Sequence, residues 1–83
     1  MNEFGYHTKE IQKGILGDFS KIKEEFEELE DAYNQEDPIM CLCECSDLIG
    51  AIRHYAESKF GINLQQLIMF NEKTENAFKQ GRR

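Results

Sequence analysis

No apolar run in this chain approaches the roughly 18 residues that a membrane span requires, and no basic-then-apolar leader opens it. A membrane role is therefore not expected, and a cytoplasmic location is. Proline is almost absent, with Pro38 alone, and no low-complexity tract occurs. Together with a hydrophobic content of 40%, this excludes disorder. Positive charge is short too: ten bases face sixteen acids for a net −6, a poor electrostatic start for stable nucleic-acid binding. Cysteine is sparse and odd in number, with Cys41, Cys43 and Cys45 at alternate positions. Free thiols in a reducing compartment fit this better than a disulfide framework. Zinc does not fit either, because helical residues two apart point about 200° apart and turn the middle thiol away from the others. What remains is a small acidic domain of 83 residues, short enough to bury only about 60–65% of its unfolded surface. A chain of that size needs disulfides, a metal or self-association to be robust.

The charge is unevenly spread. Residues 1–50 hold thirteen acids and four bases, whereas residues 51–83 hold three acids and six bases. The stretch 24–37 has eight acids and no base, and the chain ends on Lys79, Arg82 and Arg83. An acidic centre with a basic end suits metal ions together with a polyanion, although solvated helix faces give the same pattern.

Periodicity is helical throughout, with no strand pattern and no repeat. Residues 1–16 form a weakly patterned N-terminal segment broken by Gly5 and Gly14, with Gly17 just beyond, and a short helix is expected over 8–13. Phe19, Ile22, Phe26, Leu29 and Tyr33 follow at spacings of 3, 4, 3 and 4, the stripe that packed helices share. Asp37-Pro38 reads as an N-cap with a first-turn proline, opening a second helix over 38–60 with Cys41, Leu48, Ile52 and Tyr55 on one face. Gly61 is its left-handed stop. Asn63 with Gln66 resembles a capping box opening a third helix, to about Lys79, through Leu64, Leu67, Ile68 and Phe70. Three main helices over 17–83 predict an all-α bundle, completed by a second copy of the chain.

Some acids fall where apolar residues belong. With Leu48 at zero on a helical wheel, Ile52 lies at about +40°, Tyr55 at about −20°, and Glu44 at about −40°, inside the apolar stripe. Asp47 borders it at about −100°. Glu25 and Glu28 share an edge of the first long helix with Lys21. Burying an ionised carboxylate without compensation costs several kcal/mol. Two antiparallel helices that each present an acid pair at i, i+3 bring four carboxylates together, and Lys21 alone cannot neutralise them. Hard divalent cations, Mg²⁺ or Mn²⁺, suit such an oxygen set. From Glu25 and Glu28 alone an exposed acid-rich helix is the simpler reading; Glu44 shifts the balance.

Glu24-Glu25-Phe26-Glu27-Glu28 followed by Glu44-Cys45-Ser46-Asp47-Leu48 resembles the E-E-x-x-E … E-x-x-D signature of the MazG-like all-α nucleoside triphosphate pyrophosphohydrolases. Lys21-Ile22-Lys23 is similar to the family's lead-in. Lys73-Thr74-Glu75-Asn76 and the Gly81-Arg82-Arg83 ending resemble the K-x-x-N and basic tail of short, often phage-encoded members. The resemblance implies a Mg²⁺-dependent hydrolase (Mn²⁺ as a substitute) that converts a nucleoside or deoxynucleoside triphosphate to its monophosphate and pyrophosphate. Glu25, Glu28, Glu44 and Asp47 would be the metal ligands, with Glu24 an auxiliary acid. Glu24, Glu25 and Lys21 are the candidates for the catalytic roles. Lys21, Lys73, Asn76 and Lys79 would hold the triphosphate. The resemblance also implies assembly as dimers or dimers of dimers.

Lys79 stands where the family often has arginine. Phosphoribosyl-ATP pyrophosphohydrolase is similar in its E-x-x-D segment, but His54 lies further from Asp47 than that pattern places its histidine. A non-catalytic acidic interaction module is the rival from another class. His54 reads as a surface residue, His7 as uninformative, and Tyr33, Tyr55, Phe60 and Phe70 as core or subunit interface. Met40, Met69 and the cysteines read as packing.

Overall fold

The computed structural model describes residues 7–81. Its elements are α1 (Phe19–Asn34), α2 (Pro38–Phe60) and α3 (Leu64–Lys79), and no strand occurs among the described residues. Each helix starts on a side chain that satisfies a free backbone N–H. Asp18 accepts from Ser20 N–H, Asp37 from Met40 N–H, and Asn63 from Gln66 N–H, while Gln66 reaches back to Asn63 N–H to complete a capping box. Pro38 occupies the first turn of α2, and Gly61 ends it at φ 66°, a conformation open to glycine at little cost.

The short loop between α1 and α2 folds them into an antiparallel hairpin. Phe19 at the start of α1 meets Tyr55 near the end of α2, edge-to-face at 6.3 Å, and Tyr55 meets Phe60 at 5.9 Å. Between the helices the buried apolar residues are alanines only, Ala32, Ala51 and Ala56, among the described residues. Small side chains let the two backbones approach closely but build almost no core. Helix α3 packs on α2 alone and has no buried residue. The radius of gyration is accordingly 15.2 Å, against about 12 Å for a compact chain of this length.

Two expectations are corrected. Residues 8–13 do not form a helix. Six residues are too few to offset helix nucleation, and Thr8 gives both its N–H and its hydroxyl to Asp31 of α1. The segment instead runs as a strap back along α1, from Asp31 to Glu24, which accepts from Gly14 N–H at 2.8 Å. Gly14 is required there, because a Cβ would overlap the Ser20 carbonyl and come within 2.5 Å of Lys21 N. The second correction concerns the stripe of α1. Phe26 (54% exposed) and Tyr33 (73%) face outward, Ile22 and Leu29 are half-buried, and Glu24, Glu25, Glu28 and Asp31 are buried. Gly5, Arg82 and Arg83 lie outside the described residues.

Candidate metal centre

The acid pairs of α1 and α2 meet across the hairpin. One carboxylate oxygen from each of Glu25, Glu28, Glu44 and Asp47 lies within 4.8 Å of the others. The i, i+3 spacing stacks each pair on one helix edge, and the antiparallel register brings the edges face to face. Glu44 is 0% exposed, Glu25 and Glu28 are buried, and Asp47 is exposed, so the cluster opens to solvent on the Asp47 side.

Positive charge nearby is scarce. Lys21 Nζ lies 3.0 Å from Glu25 Oε1 and 3.1 Å from Glu24 Oε1. Burial works against its charge, but hydrogen bonds to Glu25 and Glu24 hold its pKa above the usual lysine value. That one cation does not balance four acids. Burial, then Glu25 and Glu44, push the Glu28 carboxyl up to about 8. Asp47 is also raised, by burial and then by the charges of Glu25 and Glu44. Glu25 Oε2 is buried without a hydrogen-bond partner. A cluster of hard oxygens that retains a proton at neutral pH and leaves one buried oxygen unpaired is short of positive charge. A small divalent cation would supply that charge, and the four oxygens, all within 4.8 Å of one another, lie close enough to gather round one ion.

Glu24 has a different position from its neighbours. Its Oε1 accepts from Gly14 N–H and Lys21, and its Oε2 stands 3.6 Å from Lys13 Nζ. Although burial opposes it, these partners hold its pKa below the usual range. Both oxygens thus serve the strap and the lysines, and Glu24 is outside the four-acid group. Lys73, Asn76 and Lys79 lie on α3 and take no part in the cluster's hydrogen bonds or ion pairs among the described residues. His54 sits 3.0 Å from Arg53, also outside the group.

His7 is the residue that sequence reasoning missed. It is buried, with Nδ1 3.0 Å from Asp31 Oδ2 and Nε2 3.9 Å from both Glu28 Oε1 and Glu44 Oε1. Asp31, 2% exposed, also accepts from Thr8 N–H at 2.9 Å, the Thr8 hydroxyl and Gln35 at 3.1 Å. Burial works to raise its pKa, but Thr8 and His7 hold it below the usual range. The only local signal was that Asp31 and Glu24 lie seven residues apart, on one edge of α1 two turns apart. A pocket between the strap and α1, lined by His7, Lys9, Lys13 and Glu28 among others, adjoins the acids. Among the described residues no helix is long and apolar enough to cross a membrane. Comparison with protein-family models, with curated proteins and with solved structures finds no match for this chain.

Proposed function

We propose that this chain is a divalent-metal-dependent nucleoside triphosphate pyrophosphohydrolase, with Mg²⁺ the natural ion and Mn²⁺ a substitute. One observation carries the reading: two acid pairs on successive helices converge within 4.8 Å around Glu44, a carboxylate with no exposed surface. The resemblance of these pairs to the MazG-like signature supplies the substrate class. An acidic surface that mimics nucleic-acid charge has no use for an acid at an interior position.

Glu25, Glu28, Glu44 and Asp47 would hold the metal. When bound, it would polarise the α-phosphoryl group, offset the triphosphate's charge and lower the pKa of an attacking water. The residues themselves have separate tasks. Asp47 lies on the open side, where a carboxylate oxygen not taken up by the metal would be placed to accept a proton from entering water. Lys21 keeps Glu25 in position and carries positive charge towards the departing pyrophosphate. Lys9 and Lys13 in the adjoining pocket offer the triphosphate further cations on the same chain.

Assembly belongs to the same proposal. Phe26 and Tyr33 on α1, Ile39, Leu42 and Ile49 on α2, and Met69, Phe70 and Phe78 on α3 leave much apolar surface exposed. A hairpin with only alanines buried gains a core when a second copy covers that surface.

The test is pyrophosphate release from a panel of ribo- and deoxyribonucleoside triphosphates with Mg²⁺, run beside Glu44→Gln. Monophosphate and pyrophosphate from the wild type, lost in the variant, are expected. Turnover that survives the substitution would place the chemistry elsewhere, and no turnover under Mg²⁺ or Mn²⁺ would overturn the reading.

A further inference from the structure

The strap delivers a histidine to the acid cluster from 24 residues upstream of the aspartate that holds it. We infer that His7 is itself a ligand of the metal centre, presenting Nε2 to an ion shared with Glu28 and Glu44, with Asp31 as its positioning residue. This rests on the metal reading of the site given above and adds to it a nitrogen donor and a role for the strap.

The geometry separates the two ring nitrogens. Nδ1 faces Asp31 Oδ2 at 3.0 Å, a hydrogen-bond distance. Asp31 accepts from Thr8, His7 and Gln35, so it is an acceptor fixed in place. A proton on Nδ1 donated to that carboxylate leaves the Nε2 lone pair on the opposite side of the ring. There Nε2 meets Glu28 Oε1 and Glu44 Oε1, each at 3.9 Å. That separation is too long for a hydrogen bond. It lies within the about 3.0–4.2 Å that separates two donors bound to one ion at about 2.1 Å. His7, Glu28 and Glu44 form a candidate metal group of their own, with donor atoms within 4.8 Å of one another. Glu28 and Glu44 belong also to the four-acid group, where Glu25 Oε2 is buried without a partner. Histidines that ligate metals usually pass their other N–H to a carboxylate in this way, which fixes tautomer and ring orientation.

Two consequences follow from the chemistry of the donor. An imidazole among carboxylates shifts preference from Mg²⁺ towards Mn²⁺ and Co²⁺, which accept nitrogen more readily. The strap becomes a part of the site, so Thr8, Gly14 and Glu24, which hold it along α1, influence metal affinity without touching the ion.

The experiment loads the full chain with Mn²⁺ alone and records electron spin-echo envelope modulation. A directly bound imidazole gives ¹⁴N modulation, which changes to a ¹⁵N coupling in protein labelled at histidine. The expected result is ¹⁴N modulation in the wild type and none in His7→Gln. Asp31→Asn is expected to weaken Mn²⁺ binding by about 10–100-fold. His7→Asn, which keeps a donor for Asp31, is expected to hold the strap but lose the nitrogen signal. Bound Mn²⁺ without ¹⁴N modulation in the wild type would overturn the inference whether or not the variants fold. Modulation that persists in His7→Gln would assign the nitrogen to another residue and overturn it equally. Absence of Mn²⁺ binding would remove both this inference and the metal reading. Nitrogen-ligated Mn²⁺ without pyrophosphate release would uphold the inference and remove the hydrolase reading alone.

Discussion

The two faces of α1 invert the usual arrangement of a soluble helix. Its inner face carries Glu25, Glu28 and Ala32 against α2, with Glu24 and Asp31 on the edge beneath the strap, and all five are buried. Its outer face carries Phe26 and Tyr33, both exposed. In an ordinary helix the carboxylates face water and the aromatics pack. Fixed donors hold the acids of one edge inside, whereas the acids that face α2 are left short of positive charge. The contrast within the acid face is equally instructive. Glu24 and Asp31 have partners and lowered pKa values, whereas Glu28 and Asp47 face other acids and are raised. The acids with fixed donors hold the strap, while Glu28 and Asp47, which face other acids, belong to the candidate metal centre.

The largest effect should come from removing the charge of the inner face. Glu44→Gln should lower pyrophosphate release by about three orders of magnitude, or about 4 kcal/mol in the barrier, measured under saturating Mg²⁺. Glu44→Leu sharpens the contrast: it should lose the gain that Mg²⁺ gives the wild type, about 2.7 kcal/mol at 100 times Kd, read as a melt with and without EDTA.

Breaking the outer face comes next. Phe26→Glu puts a charge into the apolar surface proposed to meet a second copy. It should raise the dissociation constant of the assembly by about 10²–10³-fold, read by sedimentation, because an unpaired charge in such an interface costs several kcal/mol. A wild type that sediments as a monomer at the same concentration would remove the proposed pairing. Gly14→Ala should cost about 1–3 kcal/mol in a denaturant melt, as the added methyl pushes the strap from the start of α1.

The last contrast is one of pH. The Glu28 carboxyl stands at about 8 against an unfolded value near 4.5, so the folded metal-free chain binds the extra proton between those values. Its contribution is full below about pH 4.5 and is lost as pH rises through about 8. In EDTA the melting temperature of the wild type should therefore fall across this window more steeply than that of Glu28→Gln. Equal slopes would show that Glu28 does not hold the proton.

Local chemistry alone determined the three helices and most of their ends. Asp37 with Pro38, Gly61, and Asn63 with Gln66 are cap signals whose hydrogen bonds close within a few residues, so they are legible without any knowledge of the fold. The acid pairs were legible for the same reason, since i, i+3 spacing places two side chains on one helix edge wherever the helix lies. The start of α1 was less so, because Asp18 follows a glycine in a stretch without period. Only the tertiary structure decided which face of α1 turns inward. Periodicity shows that aromatics share a side, but only the way α1 packs on α2 decides whether that side is core or surface. It alone also placed His7 and Thr8 on Asp31, and Gly14 on Glu24. Those contacts join an aperiodic segment to a helix across 10 to 24 residues, and no local rule couples positions so far apart; chain closure and the donors on α1 brought them together.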